Sequence, residues 1–174
     1  GAFNGDPLDG VSSFAVTGAS VSQMTTLAGL NFVTHLEIRD GIASLESFNP
    51  DPGTNMPSGS TFTVHAENAT ISDLNNTTAS FNTWSVEDSV DNILTDYELG
   101  VAATGANHFV SGAQDVQLNA AANNPITFAE MVVLEQQVTS FPDSVPMAVA
   151  DTAQSLMVGF DSANADQRLA LYDT

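Results

Sequence analysis

One ten-residue pattern occurs three times in the chain and constrains the fold more than any other feature. Leu36-Glu-Ile38-Arg-Asp40-Gly-Ile-Ala-Ser-Leu45 is the first copy, Trp84-Ser-Val86-Glu-Asp88-Ser-Val-Asp-Asn-Ile93 the second, and Met147-Ala-Val149-Ala-Asp151-Thr-Ala-Gln-Ser-Leu156 the third. Apolar residues alternate before the Asp, which is the period of a strand, and those after it fit a short helix. Asp at the junction suits an N-cap, because its carboxylate can accept a hydrogen bond from an orphan N–H of the first helical turn. Each copy therefore predicts strand, Asp cap, short helix.

The intervals between the copies follow the same logic. Phe14-Ala-Val16 predicts a strand, and Ser20 caps a helix with apolar positions at Val21, Met24, Leu27 and Leu30. Asn49 to Ser60 has three prolines and two glycines and predicts an inserted surface loop. Phe62 to Ala66 predicts a strand, Thr70 caps a turn carrying Ile71 and Leu74, and Val90 to Tyr97 has a helical apolar face. Gly100 to Gln114 reads as a second loop, Val116 to Leu118 as a strand, and Thr127 as the cap of the longest helix, over 127 to 139. Leu169-Ala-Leu171 opens another strand.

Unit starts at Phe14, Phe62 and Val116 lie 48 and 54 residues apart. The expected fold class is α/β, a solenoid-like repeat stack of strand-helix-strand-helix units with parallel strands, because helical crossovers join parallel neighbours. The expected organisation is a lead-in over 1–13, units over 14–61, 62–115 and 116–168, and the start of a truncated fourth unit over 169–174. A compact single α/β domain is the competing architecture. The Gly1-Ala2 start reads as the remnant of a cleaved tag, so the chain is expected to be a piece of a longer one.

Charge narrows the function classes. Asp and Glu number 21 against 2 Lys and Arg, for a formal net charge of −19. Such a surface repels nucleic-acid phosphates and anionic membranes and attracts cations. No apolar run reaches the length of a membrane span, so no membrane insertion is expected. With no cysteine, disulfides and thiolate metal sites are excluded. Only Arg39 and Arg168 carry fixed positive charge, which argues against ordinary phosphoryl-transfer enzymes and enzymes of carboxylate substrates. Phosphate loops, dinucleotide fingerprints and Gly-x-Ser-x-Gly motifs are absent from the sequence. Asn68, Asn75 and Asn76 head glycosylation sequons that matter only in a eukaryotic secretory pathway.

The stretch Val149-Ala-Asp151-Thr-Ala-Gln-Ser-Leu156, with looser copies at Val86 to Ile93 and Ile38 to Leu45, resembles the degenerate VxVxDTAxxL repeats of very large bacterial secreted and surface proteins. Such adhesin-like proteins often carry RTX calcium tracts elsewhere and leave by type I secretion. The resemblance spans roughly residues 14 to 174, and the Gly-rich nonapeptide of RTX proper is missing. It implies an extracellular or cell-surface location and an adhesive, surface-layer-like or matrix role. The implied partners are a cell-surface glycan or protein, or further copies of the chain.

Three acidic groups are candidate calcium sites, because calcium takes six to eight oxygen ligands from carboxylates and carbonyls on irregular loops. They are Glu46, Asn49 and Asp51; Asp88, Asp91 and Asp96; and Asp161, Asn164 and Asp166. None has EF-hand spacing, and solvated surface acid is the plain alternative. Asp40, Asp88 and Asp151 as helix caps compete with the same residues as ligands or catalytic carboxylates. Asp151-Thr152-Ala153 also matches the Asp-Thr-Gly/Ala signature of aspartic proteases, but the other two copies do not. His35, His65 and His108 lack the helical spacing of a zinc motif. The expected function is a non-enzymatic structural or adhesive segment, with calcium as a stabilising ion. The alternative is a secreted carrier of haem or a glycan with a loop-lined pocket, haem being held by a His with Tyr97 or Tyr172. A hydrolase with an unfamiliar carboxylate pair is the third reading.

Overall fold

The computed structural model describes residues 13–30, 32–51, 53–102, 108–139 and 145–162. Strands and helices alternate as far as α5, and a further helix follows: β1 (Phe14–Ala19), α1 (Met24–Leu27), β2 (Val33–Asp40), α2 (Ile42–Ser47), β3 (Thr61–Ala69), α3 (Ile71–Asn76), β4 (Thr83–Ser89), α4 (Val90–Ala102), β5 (Asp115–Ala120), α5 (Phe128–Gln137) and α6 (Ala153–Ser162). The strands form one five-stranded parallel sheet in chain order, β1-β2-β3-β4-β5. A parallel neighbour can be reached only by a crossover, and each helix or loop between strands supplies one. The expected α/β class and parallel pairing are therefore observed.

The chain divides into two compact units, residues 1–67 with 77–83 and residues 68–76 with 84–174. In the first, β2 pairs with β3 in the register Leu36 to Phe62, Ile38 to Val64 and Asp40 to Ala66. Leu36, Ile38, Val64 and Ala66 on that face are buried, together with Met24 of α1 and Ile42 and Leu45 of α2. Strand alternation turns Glu37, Arg39, Thr63 and His65 to the other face. In the second unit Val86 pairs with Val116 and Asp88 with Leu118. Their core includes Val90 and Ile93 of α4 and Phe128, Met131 and Leu134 of α5.

Several elements differ from their sequence expectations. The helix expected from Ser20 to Leu30 begins as a tight 3-10 turn, Val21–Gln23, and its α-helical part closes at Leu27. Asn49 to Ser60 is not purely a surface loop: Met56 and Pro57 are fully buried, so the insertion anchors itself with the apolar residue it contains. α4 runs on through Ala102, three residues into the stretch expected as loop. Among the described residues Met147 to Ala150 makes a single parallel bridge, Ile126 with Val149, flanked by hydrogen bonds from Ile126 N–H to Ala148 O and from Ala150 N–H to Ile126 O.

Candidate functional site

The thrice-repeated Asp has the most regular geometry in the chain. One carboxylate oxygen of Asp40 accepts from Val21 N–H at 3.0 Å and the other from Gly41 N–H at 2.9 Å. Asp88 accepts from Ile71 N–H at 2.9 Å and Ser89 N–H at 2.7 Å. Asp151 accepts from Phe128 N–H at 3.3 Å and Thr152 N–H at 2.7 Å. In every case one oxygen holds the residue that opens the preceding helical segment, and the other holds the residue just after the Asp. Backbone N–H groups at a helix start carry partial positive charge and lack intrahelical partners, so a carboxylate satisfies both needs.

This corrects the expected role of these residues. Asp40 is not the N-cap of α2; Gly41 is. β4 runs through Ser89, and Ser89 Oγ accepts from Asn92 N–H. After Asp151, Thr152 Oγ1 takes the same part for Ser155 N–H. The Asp sits one residue earlier and works as a clamp between two successive helix starts.

The preceding helical segments have their own caps, at the Ser and Thr positions read from the sequence. Ser20 N–H donates to Gln23 Oε1 at 2.9 Å. Asp73 N–H donates to Thr70 Oγ1, and Thr70 N–H points back to the Asp73 carboxylate. Thr127 and Glu130 form the same reciprocal pair. These are capping boxes, in which the residue three positions on, Gln23, Asp73 or Glu130, closes the pair.

The second acidic group, Asp88, Asp91 and Asp96, does not converge. Asp88 is 5% exposed, and its two clamp donors are joined by Asn92 Nδ2 at 2.7 Å. Asp91 turns to Asn123, accepting from both its backbone and side-chain N–H groups. Asp96, 3% exposed, accepts from Phe109 N–H at 2.8 Å and Val110 N–H at 2.9 Å. It thereby fixes the 3-10 turn Val110–Gly112, while Trp84 Nε1 donates to Phe109 O and the two rings meet edge to face at 6.2 Å. Each of the three carboxylates thus has its own N–H partners, and the bonds to Asp91 and to Asp96 each fall on one oxygen.

In the first group, Glu46 accepts from Thr78 N–H. Asn49 contributes its carbonyl to Asn55 Nδ2, and Asp51 N–H donates to Asn55 Oδ1, so the loop closes on Asn55. Of the third group, Asp161 falls in α6, and Asn164 and Asp166 lie outside the described residues. Among the described residues no three His, Asp or Glu side chains are gathered for a metal ion.

A second polar cluster lies on the other face of β2 and β3. Arg39 pairs with Glu37 at 2.9 Å and Glu67 at 3.7 Å. His65, 3% exposed, lies in register with Arg39, and its Nδ1 is 2.8 Å from Thr83 Oγ1. Burial, then the Arg39 charge, pushes the His65 pKa below its ordinary value, with Glu67 and Glu37 opposing. The imidazole is thus held neutral, and the guanidinium is balanced by two carboxylates. His35 also makes a strand-to-strand bond, with Thr61 Oγ1 at 3.1 Å.

Two shallow depressions lie beside α4 and α5. One, about 240 Å³, is lined by Asp91, Thr95, Glu98 and Glu130 among others. The other, about 230 Å³, is lined by Leu94, Tyr97, Glu98, Ala129, Glu130 and Val133. Both fall below the roughly 300–1,000 Å³ usual for a small-molecule site. Tyr97 borders the second, without a His beside it in that lining.

Fold and site together define a parallel α/β protein whose recurring carboxylates bind its own backbone. No known family, curated protein or solved structure matches the chain.

Proposed function

We propose that the chain is a non-enzymatic structural or adhesive segment of an extracellular protein, built as a stack of strand-helix-strand-helix units. The observation that carries this reading is the use of the repeated Asp. Asp40, Asp88 and Asp151 each commit both oxygens to backbone amides. The one chemical group that recurs along the chain is therefore architectural. A repeated architectural bond suits an element whose task is to extend and present a surface. The net charge of −19 keeps such a surface soluble and steers it away from nucleic acid and anionic lipid. Its partners in this reading are a glycan or protein of a cell surface, or further copies of the chain.

The test has two arms. Antibodies against the purified chain are applied to intact and to permeabilised cells of the organism that encodes it, and the labelled chain is then titrated onto intact cells and glycan-coated beads. Staining of intact cells with saturable binding supports the proposal. Staining only after permeabilisation, or turnover of small ester, glycoside and peptide substrates by the pure chain, sinks it. A haem titration addresses the carrier reading: a saturable Soret shift would replace the adhesive function with cargo binding.

A further inference from the structure

The two depressions beside α4 and α5 share Leu94, Glu98 and Glu130, so they are the two ends of one trough within the second unit. One end is apolar, with Tyr97 of α4 and Ala129 and Val133 of α5 in its walls. The other brings Asp91 and Thr95 to the same two glutamates. Helical spacing explains the walls. Leu94 is followed at three and four positions by Tyr97 and Glu98, and Val133 is preceded at four and three by Ala129 and Glu130, so each set shares one face of its helix.

The shared glutamates keep acceptor capacity. Glu98 is exposed and has no hydrogen bond or ion pair among the described residues. Glu130 spends Oε2 on the N–H and hydroxyl of Thr127, and its Oε1 accepts from no described residue. Little in the chain could answer them: it has no lysine, Arg39 of the first unit is paired with Glu37 and Glu67, and Arg168 lies outside the described residues. An apolar wall beside exposed carboxylates suits a side chain with an apolar stem and a cationic head, which buries its methylenes and keeps its charge at the polar rim. A second copy of this chain is a poor occupant, because it sets a net charge of −19 against another −19.

We propose that this trough docks a basic segment of a partner protein, an arginine of which lays its methylenes against Tyr97 and Val133 and its guanidinium between Glu98 and Glu130. The planar guanidinium carries donors on several edges and so can bond carboxylates from both helices at once. Asp91, whose Oδ2 is held by Asn123, adds negative charge at the far end. The site stands on the trough alone and holds whether or not the chain is adhesive.

The probe is an acetylated and amidated Gly-Arg-Gly-Arg-Gly peptide, titrated into the whole isotope-labelled chain at physiological salt and followed by amide chemical shifts. The same peptide with citrulline for arginine is the neutral match. The expected result is saturable shifts centred on residues 94–98 and 129–133, absent with the citrulline peptide. Glu98→Gln, Glu130→Gln and Val133→Thr should each weaken binding about 2- to 5-fold, the range for one exposed ion pair or one methyl group. Glutamine still serves in the capping box with Thr127, so Glu130→Gln leaves the start of α5 intact. Glu135→Gln removes an equal charge from α5 outside the trough and should leave binding unchanged. No binding, or shifts scattered over the surface with Glu135→Gln as damaging as Glu98→Gln, overturns the site. Equal binding of the citrulline peptide overturns the cationic head. Tighter binding by Arg168→Gln assigns the trough to the chain's own arginine, and shifts at these residues on dilution without peptide assign it to a second copy; either overturns the proposal. The parent's own shift map decides the location even where a variant fails to fold.

Discussion

Replacing Asp88 tests the clamp most sharply, because its carboxylate is the most deeply placed of the three. It is 5% exposed and receives Ile71 N–H, Ser89 N–H and Asn92 Nδ2. Asp88→Ala removes the acceptor for all three donors. A hydrogen bond to a charged group contributes about 1.5–3 kcal/mol, and a buried donor left unmet costs about 1–3 kcal/mol. Asn92 is exposed and turns to water, so two backbone donors carry the loss. The expected destabilisation is about 3–5 kcal/mol. Asp88→Asn keeps one oxygen but sets an NH₂ against the second N–H, for an expected loss of about 2–3 kcal/mol. Asn92→Ala removes a single bond and should cost about 0.5–1.5 kcal/mol. Urea unfolding reads all three as shifts in midpoint at constant slope. In thermal melts each kcal/mol should appear as a fall of about 2–4 °C. An Asp88→Asn protein within about 0.5 kcal/mol of the parent would refute the reasoning, since surface substitutions fall in that range.

Five further outcomes are expected. His65 has a pKa below its ordinary value of 6.5, so its contribution is fully present above that value and is lost as pH falls through the lower folded pKa. Urea midpoints should therefore drop on acidification from pH 7, and His65→Gln should flatten that drop. Asp115 and Asp151 act in a separate, more acidic window. Hydrogen bonds from Thr139 and then Gln117 lower the Asp115 pKa, and the Thr152 and then Phe128 amides lower that of Asp151, so their stabilisation is lost only as pH falls below the usual carboxylate range. Asp96→Asn should loosen residues 109–112, read as a shift in emission from Trp84, the single tryptophan. A Cβ at Gly112 would lie 2.7 Å from the Trp84 ring, so Gly112→Ala should cost about 1–3 kcal/mol and alter the same emission. Because Asp88, Asp91 and Asp96 have separate N–H partners, millimolar calcium should raise the melting temperature no more than magnesium does; a larger calcium rise, lost in Asp88→Asn, would show that group to be a calcium site.

The sequence by itself determined what depends on near neighbours. Ser20, Thr70 and Thr127 were legible as caps because a Ser or Thr just before apolar helical positions is a local signal, and their bonds close within three residues. Alternation placed the strands, and helix-forming stretches between them required crossovers and so parallel pairing. Met56 escaped because one apolar residue in a Pro- and Gly-rich stretch makes no period.

What only the tertiary structure decided is where each Asp carboxylate goes. Its local signal, Asp before a helix, is the signal of an N-cap, yet its second partner lies 17 to 23 residues earlier. No local pattern reveals a bond whose partner is brought near by sheet pairing. Asp91 and Asp96 show the same limit. They are neighbours in sequence, but five residues on a helix turn a side chain about 140° around the axis. One therefore meets Asn123, and the other meets the amides of residues 109 and 110. Carboxylates that lie close together in the sequence therefore hold different parts of the chain, because the helix turns their side chains apart.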